Sequence, residues 1–501
     1  MSHLTIRGAR KVYGATVALS RGDFDLRAGE VHVLIGSNGS GKSTLCKIVS
    51  GAVRPDAGEV LIDGKPVSID GPRAARALGI ATFYQELSLA GRRTVAENIG
   101  LPTLPVRGGI FVDRERLRAL ADRYISRFVD VAGEGFSADT RVEQLREDQR
   151  QLVEIMKTLA TEAPILIFDE PTSSLDRSQV ERFFEILREL KAAGRAIVFI
   201  SHRMDEIFAI GDRVTVIRDG ETVATSLIAE TSPAGVIRQM VGEQEEFAVT
   251  NGAAPAESQK GGETALAVSG LSGKGFADIT FEVRRGEILG FGGLHGQGQS
   301  AVLRSIFGVM PAEQGTIRLK GEERTIHSPR EAIRCGLAYV SGDRGRDGVV
   351  HGRPILENVT PIHFLRNRLS LVRPASLRES AAKPLSALKT RFAAFDQPVN
   401  ALSGGNQQKV VIARWLIDRP DVLLLDDPTK GIDLQAKADL FALIRSLAEE
   451  GMGIVLYSSE DAELLTNADR ILVFNSGSVS RELKGAERTR YNLYHAAYEA
   501  A

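Results

Sequence analysis

The chain of 501 residues repeats much of itself at a constant offset of 257 residues. The segment RAGEVHVLIGSNGSGKS, which begins at Arg27, is echoed by RRGEILGFGGLHGQGQS, which begins at Arg284. Later anchors keep this spacing, namely Gly79 and Gly336, Leu145 and Leu402, Asp169 and Asp426, Asp176 and Asp433, and Ser201 and Ser458. A local shift between VAENI and ILENV marks a small insertion in the second copy. The repeat predicts a duplicated domain rather than one large core.

The repeat sets the expected domain boundaries. We expect a first domain at residues 1–241, a linker at 242–264 and a second domain at 265–501. The linker segment GEQEEFAVTNGAAPAESQKGGET is rich in polar, Gly and Ala residues and lacks a long apolar stripe, which is typical of a connection rather than a core element.

The first copy contains a phosphate-binding pattern, a glycine followed by four residues and Gly-Lys-Ser. The preceding VHVLIG indicates a buried strand, and the following LCKIVSG indicates a helix. In a strand, loop and helix of this kind, backbone N–H groups converge on an anion, Lys42 reaches the β- and γ-oxygens, and the Ser43 hydroxyl ligates Mg²⁺. The predicted loop residues are Gly36, Ser37, Asn38, Gly39, Ser40, Gly41, Lys42, Ser43 and Thr44.

Three further apolar runs in the first copy end in polar residues. PILIFDE predicts a buried strand ending in Asp169 and Glu170, GIATFYQE delivers Gln85 to a loop, and AIVFISH ends at His202. Tyr13 lies where an aromatic ring could stack on a nucleotide base, although its residue type fits an ordinary strand aromatic equally well.

Composition excludes several classes of protein. The formal charge of −1 gives no electrostatic footprint for nucleic acid. Only Cys46 and Cys335 are present, which favours a reducing compartment and two small buried apolar residues over a disulfide or cysteine–metal framework. No signal peptide and no run of about 18 apolar residues is found, so we expect a chain that neither spans a membrane nor is exported.

The second copy contains LSGGNQQKVVIARWL, beginning at Leu402. With this motif, the phosphate loop, LIFDE, SSLD and the strand-end His202, the chain resembles the ABC ATPases. It is most similar to the twin-domain ATPase subunits of bacterial monosaccharide importers, the ribose, galactose and xylose class, and the resemblance covers nearly the whole chain. LSGGNQQK, the loop YVSGDRGRDGVV in place of a Gln loop, and a second phosphate loop without lysine are particular to that subgroup.

The resemblance implies a fold, two cofactors and a set of roles. The expected fold is α/β, with tandem P-loop ABC ATPase domains that each have a mixed or parallel sheet core, an antiparallel β layer and a helical subdomain. The implied cofactors are ATP and Mg²⁺. Ser43 and Asp169 would organise the metal, Gln85 would sense the metal and the attacking water, Glu170 would position or deprotonate that water, and His202 would contact the γ-phosphate.

The second copy lacks most of this chemistry. It has Gln299 in place of Lys42, Gly342 in place of Gln85, Asp427 in place of Glu170 and Ser459 in place of His202. Gln299 supplies no positive charge, and the shorter Asp427 would hold its carboxylate further from the water. We therefore predict that the second copy hydrolyses ATP poorly.

The signature motifs are distributed in the opposite way. The second copy keeps Ser403, Gly404 and Gly405, a hydroxyl and two glycines at a helix start that can bind a γ-phosphate. The first copy has LREDQ, with Arg146 in place of the serine and Glu147 and Asp148 in place of the glycines. We expect this segment to repel ATP, because it places side-chain bulk and two negative charges where a polyphosphate would approach. In ABC ATPases each site combines the phosphate loop of one domain with the signature of the other. Intrachain pairing of the two copies would therefore create one sound composite ATP site.

The resemblance also implies partners and a location. We expect two membrane-spanning permease subunits, received by residues 86–140 and 342–395, and a periplasmic or extracellular sugar-binding protein, but no nucleic acid. The loop at 343–348 would lie at that contact or form a solvent-exposed charged turn. The chain would be a peripheral protein at the cytoplasmic face of the cell membrane, and the sugar or polyol stays open.

Two other functions fit the sequence less well. A soluble twin-ABC protein acting on ribosomes or DNA would have two good sites and often a long basic linker or tail, which this chain lacks. A non-catalytic regulatory subunit conflicts with the complete residue set in the first copy. The sequence thus favours an ATP-hydrolysing, energy-coupling subunit of a sugar importer.

Overall fold

The computed structural model describes residues 2–14, 16–37, 39–84, 87–201, 203–242, 262–368, 373–430, 432 and 434–498. The chain divides into two compact units, Met1–Gly242 (unit 1) and Glu243–Ala501 (unit 2). Most of the predicted linker, residues 243–261, lies outside the described residues. No helix in the described ranges is both long enough and apolar enough to cross a bilayer.

Unit 1 is built on a ten-stranded sheet within the described residues, in the order β5-β4-β1-β2-β12-β11-β3-β10-β9-β6. The strands are β1 Ser2–Tyr13, β2 Thr16–Arg27, β3 Val31–Ile35, β4 Ala57–Ile62, β5 Lys65–Val67, β6 Ile80–Phe83, β7 Val106–Arg107, β8 Phe111–Val112, β9 Ile165–Asp169, β10 Ala196–Ile200, β11 Arg213–Arg218 and β12 Glu221–Leu227. Strands β7 and β8 form a separate hairpin.

The sheet of unit 1 has a parallel part and an antiparallel part. Strands β6, β9, β10, β3 and β11 run parallel, whereas β1, β2, β4 and β5 pair antiparallel. The central strands VHVLI and AIVFI are buried at every position, as expected for parallel strands covered on both faces. The carboxyl ends of β3, β9 and β10 therefore meet at one edge of the sheet.

Helices cover the parallel part and form the segment between β6 and β9. The helices of unit 1 are α1 Lys42–Val49, α2 Pro72–Ala77, α3 Val95–Gly100, α4 Arg114–Ile125, α5 Glu147–Leu159, α6 Arg177–Ala192, α7 Met204–Ile210 and α8 Pro233–Val241. Helices α3, α4 and α5 pack against one another and make up the predicted helical subdomain.

Unit 2 repeats this architecture with its strands in two sheets, ordered β14-β13-β16-β17 and β18-β19-β20-β15-β21-β22. The strands are β13 Thr264–Gly273, β14 Phe276–Arg284, β15 Ile288–Gly293, β16 Gln314–Leu319, β17 Glu322–Arg324, β18 Leu337–Val340, β19 Val422–Asp426, β20 Gly453–Tyr457, β21 Arg470–Asn475 and β22 Ser478–Lys484. The helices are α9 Gln299–Ile306, α10 Pro329–Arg334, α11 Ile355–Val359, α12 Pro361–Asn367, α13 Pro374–Ala387, α14 Gly404–Leu416, α15 Leu434–Glu449, α16 Asp461–Asn467 and α17 Arg490–Tyr498.

The strand register repeats between the units. Val31 lies opposite Ile197 in unit 1, and Ile288 lies opposite Ile454 at the equivalent positions of unit 2. The predicted α/β fold, with mixed or parallel core sheets, antiparallel layers and helical segments, is confirmed in both units. Both cysteines are free; Cys46 is buried as expected, whereas Cys335 is only half-buried.

Candidate functional site

The phosphate loop of unit 1 connects β3 to α1 at the sheet edge where the parallel strands end. Gly41 caps α1 with a φ of 109°, a left-handed conformation that favours glycine. Gly36 is required for a different reason, because a Cβ atom there would lie 2.1 Å from the Ile217 carbonyl oxygen. Gly36 therefore allows the loop to lie against β11, and Gly41 allows the start of α1 to lie against β2, where a Cβ atom would be 2.8 Å from the Ala18 carbonyl oxygen.

Lys42 points back into this loop. Its ammonium donates to the carbonyl oxygens of Gly36 at 2.7 Å and Ser37 at 2.9 Å. Burial lowers the pKa of Lys42, and the nearby carboxylates of Glu170 and Asp169 oppose that shift. The lysine thus carries a buried positive charge that contacts the loop and lies near the two acids.

Ser43 and Asp169 have open side chains. Ser43 is exposed and Asp169 is half-buried at the end of β9. Within the described residues, neither side chain makes a hydrogen bond. Burial and the adjacent Glu170 raise the pKa of Asp169 to about 6. A divalent cation would relieve this desolvated, unpaired carboxylate, so these oxygen donors fit Mg²⁺.

Glu170 follows Asp169 in a strained turn. Its φ is 52°, which is uncommon for a residue with a side chain, and its N–H donates to the Ile200 carbonyl at 3.0 Å. Gln151 on α5 donates to the carbonyl of Pro171 at 2.9 Å and pins the next residue of the turn. Strain of this kind concentrates at functional sites, and here it turns the acid away from the strand direction.

Asn38, Gln85 and His202 lie outside the described residues. In the loop, Ser37 is half-buried, Gly39 has a φ of 77°, the Ser40 side chain is buried, and Thr44 is half-buried on α1.

Tyr13 ends β1 and is 46% exposed, with the Lys11 ammonium 5.7 Å from its ring centre. An exposed ring at a strand end is free to receive a flat partner, and base stacking by Tyr13 stays a prediction.

The phosphate loop of unit 2 has the same backbone with different side chains. Gly298 caps α9 with a φ of 103°, like Gly41 in unit 1. Gln299 is 1% exposed and donates to the carbonyls of Gly292 at 3.2 Å and Leu294 at 2.9 Å. The amide therefore takes over the loop contacts of Lys42 without its charge.

The acids of unit 2 are engaged by neighbouring side chains. Asp426 accepts hydrogen bonds from the hydroxyls of Ser300 and Tyr339, each at 2.6 Å. Asp427 has a φ of 53° and accepts from the N–H and the hydroxyl of Ser459, each at 3.1 Å. Both carboxylates are 7% exposed, so unit 2 presents no open acid pair at this edge.

Two further features close this edge of unit 2. A Cβ atom at Gly342, the position of the expected Gln-loop glutamine, would lie 2.9 Å from the Asp426 carbonyl oxygen. His295 of the loop bonds through Nδ1 to the hydroxyl of Tyr457, at 2.9 Å. The loop is therefore tied to the end of β20.

The signature of unit 2 lies at the start of α14. Ser403 is the N-cap residue and is exposed, Gly404 is half-buried, and Gly405 is buried. The Ser403 hydroxyl accepts a hydrogen bond from the Asn406 amide at 3.0 Å. Because the first N–H groups of a helix have no intrahelical partner, this end can bind an anion.

The corresponding segment of unit 1 differs from the expectation in one respect. Arg146 binds the Asp148 carboxylate at 2.8 and 3.1 Å, so Asp148 is neutralised rather than free to repel an anion. The pair forms because both side chains lie on the first turn of α5. The segment still fills its helix end with a guanidinium, in contrast to the small residues of α14.

Sequence reasoning missed some of these contacts. Ser300 lies 257 residues after Ser43 and could have been found from the repeat. His295 lies in the second phosphate loop and Tyr339 begins YVSGDRGRDGVV, but neither motif indicates a hydrogen-bond partner. Only the packing of neighbouring strands reveals the bonds of Tyr339 to Asp426 and of His295 to Tyr457. They distinguish the two sites as clearly as Gln299 does.

The fold and the site together define a class of protein with two phosphate-loop units. In this chain the first unit carries the lysine, the serine and the two acids of the motif, whereas the second lacks the lysine and the glutamate. The ABC transporter family profile matches residues 19–173 and 276–430. The chain belongs to the ABC transporter family, as an ATPase with two ATP-binding cassettes.

Similar proteins span the whole length. The chain is 42% identical, over 99% of its length and 96% of the relative, to the putative ribose/galactose/methyl galactoside import ATP-binding protein 2 of Burkholderia cenocepacia. It is 43% identical to ribose import ATP-binding protein RbsA 3 of Rubrobacter xylanophilus, covering 96% of this chain and 95% of that one. It is also 43% identical to RbsA 1 of Streptomyces avermitilis, covering 97% and 92%.

Proposed function

We propose that the chain is the ATP-hydrolysing, energy-coupling subunit of an importer for a monosaccharide or related polyol. The import names of relatives that match nearly the whole chain support the sugar class. The observation that carries the ATPase assignment is the presence of Lys42, Ser43, Asp169 and Glu170 together at one sheet edge of unit 1.

Each of these residues has a separate task in phosphoryl transfer. Lys42 neutralises charge on the β- and γ-phosphates, and the loop N–H groups hold them in place. Glu170 orients the attacking water and accepts its proton. His202 and Gln85 are proposed to complete the site at the γ-phosphate, and Tyr13 to stack on the base. Catalysis then depends on placement and charge stabilisation.

Mg²⁺ is the proposed metal, and Ser43 and Asp169 would hold it. When bound, the ion neutralises charge on the β- and γ-phosphate oxygens. The exposed Ser43 hydroxyl and the unpaired Asp169 carboxylate are the hard oxygen donors that Mg²⁺ prefers.

The complete site also needs a signature, and we propose that unit 2 supplies it. Ser403, Gly404 and Gly405 offer a hydroxyl and free helix-end N–H groups, whereas unit 1 has the Arg146–Asp148 ion pair at its own signature. Pairing within one chain is the arrangement that uses both intact motifs. The domain limits 1–241 and 265–501 belong to the same proposal.

Coupling requires surfaces that meet the two membrane-spanning subunits. In unit 1 a cavity of about 340 Å³ lies between α2, the end of β6 and α5, and is lined by Arg76, Tyr84, Leu101, Glu154 and Lys157 among others. Ser88, Leu101 and Pro102 of its lining fall in the expected 86–140 surface, so the cavity borders that surface and is proposed to receive a short helix of a permease. In unit 2 the turn at Arg344–Gly348 packs on α14 and is the proposed counterpart.

Function at the cytoplasmic face of the membrane follows from these partners. The chain would bind there peripherally through the permease subunits, with a periplasmic or extracellular sugar-binding protein in the full complex.

ATP hydrolysis by the purified chain and three variants tests the site assignment. We expect Glu170→Gln to lower turnover by about 100-fold or more, because it removes the base. Ser403→Arg, which copies Arg146, should abolish turnover, and Asp427→Asn should leave it nearly unchanged. Loss of activity with Asp427→Asn, or indifference to Ser403→Arg, would overturn the asymmetric assignment. Sugar uptake in a strain lacking the chain tests the importer role separately.

A further inference from the structure

The surroundings of Asp426 in unit 2 differ from those of Asp169 in unit 1. The Ser300 hydroxyl bonds to Oδ1 and the Tyr339 hydroxyl to Oδ2, both at 2.6 Å, and the carboxylate is 7% exposed. Asp169 is half-buried, and within the described residues its side chain accepts no hydrogen bond. Both oxygens of Asp426 are therefore occupied, and both oxygens of Asp169 are open.

Tyr339 is held firmly in place. It lies on β18 beside β19, the strand that ends in Asp426. Its ring stacks on Phe307 with centroids 5.3 Å apart, and Phe307 meets Trp415 edge-on at 5.7 Å. Burial and the Asp426 charge raise the pKa of Tyr339. The phenol therefore stays protonated and donates a hydrogen bond to the carboxylate.

Unit 1 has Thr82 at the equivalent position of β6. Thr82 makes no side-chain hydrogen bond within the described residues. At this position the phenol is thus a feature of unit 2 alone, and it begins the loop YVSGDRGRDGVV that stands in place of the Gln loop.

We propose that unit 2 takes no Mg²⁺ with nucleotide, because the hydroxyls of Ser300 and Tyr339 between them hold both oxygens of the buried Asp426 carboxylate. Mg²⁺ requires near-ideal octahedral coordination and is usually bound in proteins by one or two carboxylates. To bind Oδ2 it would have to displace the phenol and leave a buried donor without a partner, and at Oδ1 it would meet a carboxylate whose charge the phenol already draws on. Ser300 alone would not exclude it, since a serine hydroxyl is itself a metal ligand in such loops.

This inference goes beyond the proposed loss of hydrolysis. Gln299 weakens the attraction for phosphate, whereas Tyr339 acts on the metal, so the two effects are separable. Any nucleotide that unit 2 binds is then free of metal. It is not hydrolysed, whether position 427 carries aspartate or glutamate.

Equilibrium dialysis with Mn²⁺ and ATPγS, counting metal and nucleotide separately per chain, tests the proposal. We expect one Mn²⁺ for the wild-type chain; this ion belongs to unit 1 and rests on the proposed function. Gln299→Lys restores the charge and can keep the loop contacts that Lys42 makes. That variant should still hold one Mn²⁺, while adding Tyr339→Thr, the residue of unit 1, should raise the count to two.

Each count of bound Mn²⁺ either supports or overturns the proposed exclusion of metal from unit 2. Two Mn²⁺ with Tyr339 intact would overturn the proposal, and so would one Mn²⁺ in the double variant. No Mn²⁺ in the wild-type chain would instead contradict the proposed function of unit 1. If Tyr339→Thr lowers the melting temperature, Tyr339→Phe keeps the stacking on Phe307 and removes only the hydroxyl. The double variant Gln299→Lys with Tyr339→Phe must then bind more than one Mn²⁺ per chain.

Discussion

Arg213 shows how one buried side chain stabilises a unit without touching the site. It is 8% exposed, donates to both oxygens of Asp25 at 2.8 Å and reaches Glu30 at 3.3 Å. Unit 2 repeats the arrangement, with Arg470 bound to Glu287. The network joins the first residue of β11 to β2 within unit 1.

We expect Arg213→Met to destabilise unit 1 by about 2 kcal/mol, because it removes the charge-assisted hydrogen bonds to the half-buried Asp25 and the contact with the buried Glu30. The Arg213 hydrogen bond, opposed by burial, lowers the pKa of Asp25 below 3.8. Its stabilisation is thus present above the ordinary carboxyl pKa and is lost as the pH falls through the lowered value. The difference in the free energy of unfolding between wild type and variant should stay constant from pH 8 to about 5 and should become smaller only in stronger acid.

Urea unfolding followed by circular dichroism at several pH values measures this difference. Arg177→Met is the matched control, since Arg177 makes an exposed ion pair with Glu181 at 3.0 Å and should change stability by about 0.5 kcal/mol or less. Equal effects of the two substitutions would contradict a structural role for Arg213.

At the scale of elements, a buried asparagine fixes the loop before α3. Asn98 is 1% exposed, accepts from the Ala90 N–H at 2.8 Å and donates to the carbonyls of Ala90 and Thr94. Asn358 makes the same set with Val350, Arg353 and Pro354. The offset here is 260 residues, in agreement with the insertion that the sequence indicated.

Asn98→Ala should cost about 3 kcal/mol, because it leaves backbone groups of the loop unsatisfied. Hydrogen exchange at residues 88–94 should accelerate along with the loss of stability. Thr94→Ala, which removes only the cap of α3, should cost about 1 kcal/mol and serves as the graded control. Unchanged exchange in Asn98→Ala would show that the loop is held by other contacts.

The β7–β8 hairpin exposes a cluster of apolar side chains. Ile110 is 79% exposed and Phe111 is 74% exposed, with Val106 and Val112 nearly half exposed beside them. Exposed patches of this kind mark interaction sites, and the hairpin follows Leu101 at the rim of the proposed permease cavity.

Replacing Ile110 and Phe111 together by Ser should leave the melting temperature and basal ATP hydrolysis of the isolated chain unchanged, because both side chains already face solvent. Recovery of the membrane subunits with the tagged chain should fall several-fold. Val129→Ser, at a 61% exposed position away from the hairpin, is the control and should not affect recovery. Full recovery with the double substitution would remove the hairpin from the interface.

At the scale of the whole molecule, the division of intact motifs between units makes a complementation test possible. If each chain pairs its own units, mixing Glu170→Gln chains with Ser403→Arg chains should restore no ATP hydrolysis, since neither chain has a complete site. If units of different chains pair, the mixture should regain measurable activity because some sites would combine intact residues. Steady-state hydrolysis of the mixture against each parent decides between the two.

Much of this molecule was predictable because its signals are local. The phosphate loop, the strand ending in Asp169 and the LSGG helix start are contiguous motifs, and each was found where the sequence placed it. The pairing of Arg146 with Asp148 was not, because residue type alone does not say which charges neutralise each other.

The sequence by itself determined the duplication, the fold class and the inequality of the two units, since these follow from a constant repeat and from residue types within short motifs. Only the tertiary structure decided how the acids of unit 2 are occupied. Tyr339 and Asp426 are 87 residues apart and meet because parallel β18 and β19 lie side by side. Such a hydrogen bond depends on strand order and register, which no local pattern of residues encodes.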